Sequence, residues 1–569
     1  MQNYQEKAMA LSVEVEQLGE RNNRLETFQK GFCGIDTEPS STQYITEYVL
    51  PQTCEMPLGI AVDNAENKVW YISTKKGLLG SYNLEEEKFD KELVIPEWKS
   101  RESARDFSQV WDIEIDYRRK GGGEGGDIWF TDEKQNAIWR YIKSSKTFEK
   151  YNIPGKSDSF DTSYPISIEF DPNNKNIIYF VGTYSPSLWV ADISEMKNGT
   201  SSGISQIPIP IDEGFKGIDP FYITTGLIAF DSKRDVIWIS VLSYAAQKGQ
   251  IFKYDLDTKS FDVYDLTEAE EQWISSPWGL VVDDVHHHDG DLWITNPGTS
   301  IFYKLDPDDE DDDNNIVKFV TSKTSPRIFG DINTVKGNSN ISSIYKNSYT
   351  QPAWIKKSDD GSLWFNEQQG NKIAKFDPSN MNLIEYWIPT QNRLWGVCSN
   401  NYKSNNSSIN IDSEQICGIA NVLQFSIGND GDDQIWFTEW SENKIGKLEA
   451  DDKNLPISVD IYKSDKDSTV QRGESEKIKL KVKAAESPLH SSIHNIHMIA
   501  SGTFTPTGDL GNCTGYFTEE SISIDTGEEQ EVSFTFTPST DLKPGDYTLM
   551  IGAENESISY LRAVKVRIT

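Results

Sequence analysis

No run of about 18 consecutive apolar residues occurs in the 569-residue sequence, so nothing in it has the length and hydropathy of a membrane-spanning helix. No secretory signal stands at its start. Basic residues are scarce: 55 Lys and Arg against 89 Asp and Glu leave a net charge of −34. That balance argues against a nucleic-acid binder and against charge-driven adhesion to anionic lipid, and it favours the attraction of cations. Histidine and cysteine are rarer still, with six and five copies.

What is abundant is a short β-run centred on an aromatic pair. Leu363-Trp364-Phe365-Asn366-Glu367 and Ile435-Trp436-Phe437-Thr438-Glu439 are nearly identical, and further copies surround Trp70, Trp129, Tyr179, Trp238 and Trp293. From Trp70 to Trp436 the mean period is 61 residues, with no helical pattern between copies. A period of that length built from strands predicts β-propeller blades and excludes an α-solenoid. Each unit has one grammar. Strand A follows a turn residue, as in Pro57–Asp63, Pro165–Asp171 and Pro277–Asp283. The aromatic run is strand B, strand C reads like Asn443–Leu448, and strand D reads like Leu383–Pro389. The seventh unit lacks a strand D, and Ile45–Pro51 is expected to supply it from the other end of the chain, which removes an exposed sheet edge. The predicted class is therefore all-β: a seven-bladed propeller over 43–450.

Residues 457–569 alternate with period two in short, evenly spaced runs and predict an immunoglobulin-like β-sandwich. Residues 1–32 have helical propensity. Leu11, Leu18 and Leu25 stand at heptad spacing, but Glu14, Arg21 and Phe28 hold the other seam positions, so a stalk that permits self-association and a solvated helix both stay open.

Cys33 and Cys54 flank the closing strand, and Cys398 and Cys417 bracket a polar insertion in the last unit. Each pair is expected to form a disulfide at the ring seam, which implies an oxidising compartment, and Cys513 is left over. Six glycosylation sequons stand at Asn198, Asn340, Asn405, Asn406, Asn512 and Asn555. Together these predict an extracellular or cell-surface protein, with membrane attachment only through an anchor preceding the helix.

Trp-Phe-Thr-Glu followed by Asn-Lys-Ile-Gly-Lys-Leu, at 436–448, resembles the streptogramin (virginiamycin B) lyase family across 43–450. The resemblance implies a seven-bladed ring and a Mg²⁺-dependent elimination that opens a cyclic lactone with a histidine base. In that family strand A commonly begins Pro-His. Here the corresponding positions are Leu58, Trp111, Ile166, Thr225, Trp278, Ala353 and either Trp395 or a position within Ala420–Phe425, and none is histidine. An enzyme built on this ring would have to use Glu367 or Glu439 as its base, with a pKa raised by burial.

The ends of strand B and the starts of strand A meet at one face of the ring. Asp132, Asn296, Glu367 and Glu439 with Trp111, Trp278, Trp354 and Trp395 are therefore candidates for a sugar, peptide or cationic ligand. The alternative is that the tryptophans pack between blades and the acids cap turns. The histidines fall into two clusters. His286, His287 and His288, beside Asp289 and across from the acidic run Asp306 to Asp313, are a candidate site for Cu²⁺, Zn²⁺ or Ni²⁺, with Ca²⁺ at the acidic turn. His490, His494 and His497 with Met498 are a candidate copper site; if they lie on a strand, His497 and Met498 point to opposite sides, and a surface cluster is the alternative.

Three functions stay open. The first is a surface binding or scaffold propeller holding cations, with a cell-surface protein, a glycan or a small molecule as partner. The second is a divalent-metal-dependent lyase or lactonase, and the third a copper- or zinc-handling protein.

Overall fold

The computed structural model describes residues 38–569 except 99–107, 119–125, 156–162, 184, 212–214, 220–221, 244–247, 267–275, 286–289, 309–315, 324–348, 393–418, 429–433, 451–454, 463–466 and 487–491. Among the described residues every regular element longer than one residue is a β-strand. The expected N-terminal helix lies outside them.

The repeat grammar becomes a succession of antiparallel sheets. Their first strands are Pro57–Asp63, Ile113–Asp116, Pro165–Phe170, Thr224–Asp231, Leu280–Asp283, Pro352–Lys357 and Val422–Gly428, numbered here as sheets one to seven. Local chemistry sets the turns. The Asp at the end of strand A accepts the next backbone N–H groups: Asp171 takes Asn173 and Asn174, both at 2.8 Å, and Asp231 takes Lys233 and Arg234, both at 3.1 Å. Such Asx turns reverse the chain without further tertiary help. Strand B then places its two aromatic residues on opposite faces. Trp129, Trp238, Trp293, Trp364 and Trp436 are fully buried. Between sheets five and six, Trp293 meets Phe376 with ring centroids 5.2 Å apart and Phe302 meets Phe365 at 5.0 Å.

Closure follows the sequence expectation. Ile45–Val49 pairs antiparallel with the third strand of sheet seven, from Ile45 opposite Leu448 to Val49 opposite Lys444. The seven first strands touch their neighbours in an unbroken circuit around a central channel. Gly59, Gly226 and Gly279 allow the close approach, because a Cβ at Gly279 would run into the Ala353 carbonyl of the next sheet. The first strand of sheet seven is Val422–Gly428, so Leu423 is its counterpart of Leu58. Trp395 lies outside the described residues.

Sheet three takes its fourth strand from Ile204–Pro208. One difference from the sequence reading concerns the edges: the C-terminal region is joined to the ring. Its strands from Ile457 onward form two sheets, and its last strand, Ile558–Ile568, pairs antiparallel with the outer strand of sheet six, Asn382–Trp387. The register runs from Asn382 opposite Arg562 to Tyr386 opposite Ile558. Ser300 N donating to Pro506 O at 2.8 Å and the Lys323–Asp509 ion pair at 2.5 Å fix the same region against sheet five. Edge pairing is invisible to a reading by composition, because any regular strand edge offers the same backbone donors and acceptors.

Candidate functional site

The end of strand B does not open on the channel mouth. Asp132, Asn296, Glu367 and Glu439 are all 0 % exposed. Asp132 accepts from Ser108, Trp139 Nε1 at 3.0 Å and Gln135 Nε2 at 2.8 Å, and Asn296 donates to the Tyr303 hydroxyl at 2.6 Å. Glu367 and Glu439 belong to two equivalent clusters. In sheet six Lys372 stands 3.0 Å from Glu385 and 3.6 Å from Glu367, and it donates to the Ser322 hydroxyl at 2.6 Å. In sheet seven Lys444 stands 2.9 Å from Glu47 and 3.3 Å from Glu442, and it donates to Thr390 at 2.8 Å. Thr390 in turn donates to Glu439 at 3.4 Å. Burial, then the neighbouring carboxylate, holds Glu367 and Glu439 well above the usual carboxylate range against the pull of the lysines. The raised pKa anticipated for a glutamate base is present, but on groups packed inside the sheets.

Trp111 and Trp278 are likewise held by contacts within the fold, whereas Trp354 lines the cavity described below. Trp111 is half-buried and donates to Glu133 at 3.0 Å, Trp278 is half-buried and its carbonyl accepts from Ser240 at 2.8 Å, and Trp354 is buried. The end of the channel where the first strands begin is apolar. Met56, Leu58, Leu423 and Trp440 form a buried cluster there, with Trp111 against it.

The polar site is at the other end. A cavity of about 310 Å³ lies along the C-terminal halves of the first strands, lined by Asp112, Glu114, Glu169, Trp354, Lys356 and Asp284 among others. Register explains why these residues converge. Glu114, Glu169 and Lys356 each stand opposite the first aromatic of strand B, paired with Trp129, Tyr179 and Trp364. Equivalent positions in equivalent blades put their side chains in one ring around the channel. Lys356 reaches across from sheet six to Glu114 of sheet two at 3.1 Å. Asp112 accepts from Ile168 N at 2.8 Å and Gln424 Nε2 at 3.1 Å. Lys357 pairs with Asp284 at the rim.

Three carboxylates thus face one ammonium in the channel, and the protonation of Asp112 and Glu169 responds. Burial, with Glu114 adding to it, pushes Asp112 up to about 7. Burial, with Glu114 and Asp112 adding to it, pushes Glu169 up to about 8. Burial works against the Lys356 charge, but Glu114 and Asp112 outweigh it and its pKa is raised. Glu114 keeps 36 % of its side chain exposed, so water reaches the cluster along the channel. Carboxylates poised near neutrality can take up or release a proton, or accept a cation. Sequence reasoning missed them, although charged residues at alternate positions of an otherwise apolar strand, Asp112-Ile113-Glu114 and Ser167-Ile168-Glu169, were the available signal.

Of the imidazole candidates only His497 has a described side chain. His286, His287, His288, Asp289 and His490 lie outside the described residues, as does the His494 side chain. His497 is exposed, with Nδ1 2.8 Å from Ser521 Oγ, while Met498 on the opposite side of the strand is 8 % exposed. Among the described residues no group of three or more His, Cys, Asp or Glu has a geometry for a metal ion. Cys54 is disulfide-bonded, and its partner and Cys33, Cys398 and Cys417 lie outside the described residues. Cys513 is a free, buried thiol. Of the sequon residues, Asn198 and Asn512 are exposed, Asn555 is half-buried with Oδ1 accepting from Ser557 N, and Asn340, Asn405 and Asn406 lie outside the described residues.

No family model matches the chain, and no curated protein does. Among solved structures the chain is similar to virginiamycin B lyase from Staphylococcus aureus, with 19% identity over 72% of this chain and 99% of that one and a TM-score of 0.46. It is similar also to the extracellular domain of a putative one-component system from B. thetaiotaomicron, with 13% identity over 93% of this chain and 60% of that one and a TM-score of 0.42. A third is hydrazine synthase from Kuenenia stuttgartiensis, with 9% identity over 72% of this chain and 99% of that one and a TM-score of 0.45. The first of these is a structure from the family that the repeats resemble.

Proposed function

We propose that the protein is an extracellular or cell-surface propeller that binds a cationic small molecule, an organic amine or guanidinium, in the acidic half of its channel. In this reading the seven sheets are the blades of a closed ring and the C-terminal sheets are an immunoglobulin-like sandwich. The observation that carries the binding function is the imbalance of Asp112, Glu114 and Glu169 against Lys356 within one cavity of about 310 Å³. A ligand ammonium there favours the ionised forms of Asp112 and Glu169, which burial holds close to the point of proton release, and the low-dielectric walls strengthen the attraction. The disulfide at Cys54 and the exposed sequon residues Asn198 and Asn512 support the compartment. The lyase reading has less support, since the register places Leu58, Trp111, Ile166, Gly226, Trp278, Ala353 and Leu423 at the seven equivalent positions, with Gly226 replacing the Thr225 expected from sequence, and none is histidine.

Calorimetric titration with putrescine, spermidine, arginine, Mg²⁺ and Ca²⁺ tests the proposal. The expected result is saturable binding of an organic cation, weakened about tenfold by Glu114→Gln with Glu169→Gln. Absence of binding by every cation, or affinity unmoved in that variant, overturns it. Binding of the metals alone would replace the organic ligand with a divalent ion.

A further inference from the structure

A second cavity, of about 470 Å³, lies where sheet six meets the C-terminal sandwich. One wall comes from the turns of sheet six, with Asp360, Asn382 and Ile384, and the other from the sandwich, with Leu455, Ser458 and Tyr560. The ladder between Asn382–Trp387 and Ile558–Ile568 fixes the two walls relative to each other, so the cleft is formed before any ligand arrives. Its size falls in the range of small-molecule sites, which favour domain junctions.

We propose that this cleft is a binding site for a neutral oligosaccharide, separate from the channel and independent of its function. The charges around it are largely taken up by their own neighbours. Lys375 stands 3.9 Å from Asp360, and Lys483 stands 3.0 Å from Asp460. Asp360 accepts from Ser358 Oγ at 2.6 Å and Ser362 N at 2.8 Å, and Asp377, which has no such ion pair among the described residues, accepts from Ser379 N at 2.8 Å and Asn380 Nδ2 at 2.6 Å. An anion entering the cleft would meet paired lysines and a cation one carboxylate already hydrogen-bonded in its own turn, whereas a polyol would find oriented dipoles. Asn382 Nδ2 donates to the Tyr560 hydroxyl at 3.0 Å, and a phenol that accepts from an amide keeps its own proton for a ligand oxygen. Ser458 adds a hydroxyl that both donates and accepts, while Ile384 and Leu455 supply apolar surface. A sugar ring presents this same combination, hydroxyls along its rim and C–H groups on its faces.

The test is titration of the full chain with maltotriose, cellotriose, mannotriose and triacetylchitotriose, followed by calorimetry. At least one is expected to bind with a Kd below about 1 mM. Ser458→Trp, which fills the cleft, is expected to abolish that binding, and Tyr560→Phe to weaken it about fivefold, the loss of one hydrogen bond. The channel variant Glu114→Gln with Glu169→Gln is expected to bind the sugar as the parent does, which separates this site from the first. If Ser458→Trp does not fold, Tyr560→Phe decides. No binding of any of the four sugars at about 10 mM, binding unchanged in Tyr560→Phe, or equal loss in the channel variant each overturns the proposal.

Discussion

The lysine clusters within sheets six and seven and the lysine in the channel use the same residue types to opposite ends. Lys372 and Lys444 are about as buried as side chains can be, at 1% and 0% exposed, and each is held by acids and a hydroxyl. Burial and the neighbouring carboxylates raise the pKa of Glu367 and Glu439, which favours their neutral forms and lessens the negative charge near each lysine. Lys356 instead faces three acids in a wetted channel. The difference teaches that a buried charge acquires a structural role when its partners close around it, and a recognition role when solvent and an unbalanced acid remain beside it.

Breaking the closed clusters has the largest expected effect. Lys372→Met leaves Glu385 buried without its cation and should lower stability by about 3–5 kcal/mol in denaturant unfolding followed by tryptophan fluorescence. Lys444→Met should do the same; a loss below about 1 kcal/mol for either would place these lysines with exposed pairs. The same change in the channel, Lys356→Met, should cost little stability but tighten binding of an organic cation about tenfold in calorimetry, because it removes the competing ammonium. Weakened binding would mean that Lys356 itself contacts the ligand.

The pH dependence sharpens the contrast further. Asp112 and Glu169 have folded pKa values raised to about 7 and about 8, so the native state holds protons that the unfolded chain has released. Their contribution to stability is complete below the ordinary carboxylate range and declines as pH rises toward 8. Cation binding has the opposite trend, since it needs the ionised groups. Affinity should rise between about pH 6 and 8 with proton release on binding, seen as a dependence of the calorimetric heat on buffer ionisation, and Asp112→Asn should flatten the profile. The smallest effect is expected from Thr390→Val, about 1 kcal/mol in the same unfolding assay, from the hydrogen bonds it gives Glu47 and Glu439.

Much of the fold is written locally. The aromatic pairs, the Asp that ends strand A and the closing strand Ile45–Val49 each have a sequence signature because each solves a local problem of burial or turning. The site was less legible. Glu367 and Glu439 carry the family's repeat and drew attention to the strand ends, yet the pairing of those ends with Lys372 and Lys444 turns them inward. Glu114, Glu169 and Lys356 are far apart in sequence and meet only because equivalent register positions encircle one axis. The union of sheet six with the C-terminal strands left no mark at all, since Leu383–Tyr386 reads as an ordinary outer strand until its partner is known.

The closing strand also sets a schedule. Glu47 and Lys444 are 397 residues apart in sequence. On a ribosome adding about 5–20 residues per second, Ile45–Val49 emerges roughly 20–80 s before its partner strand exists. Until then Glu47 is a hydrated carboxylate on an unpaired strand, which discourages that edge from joining a neighbouring chain. Only when Lys444 is made can Glu47 enter the interior, so this pair reports that the last sheet has been synthesised, and any chain ending before it keeps an acidic, open ring.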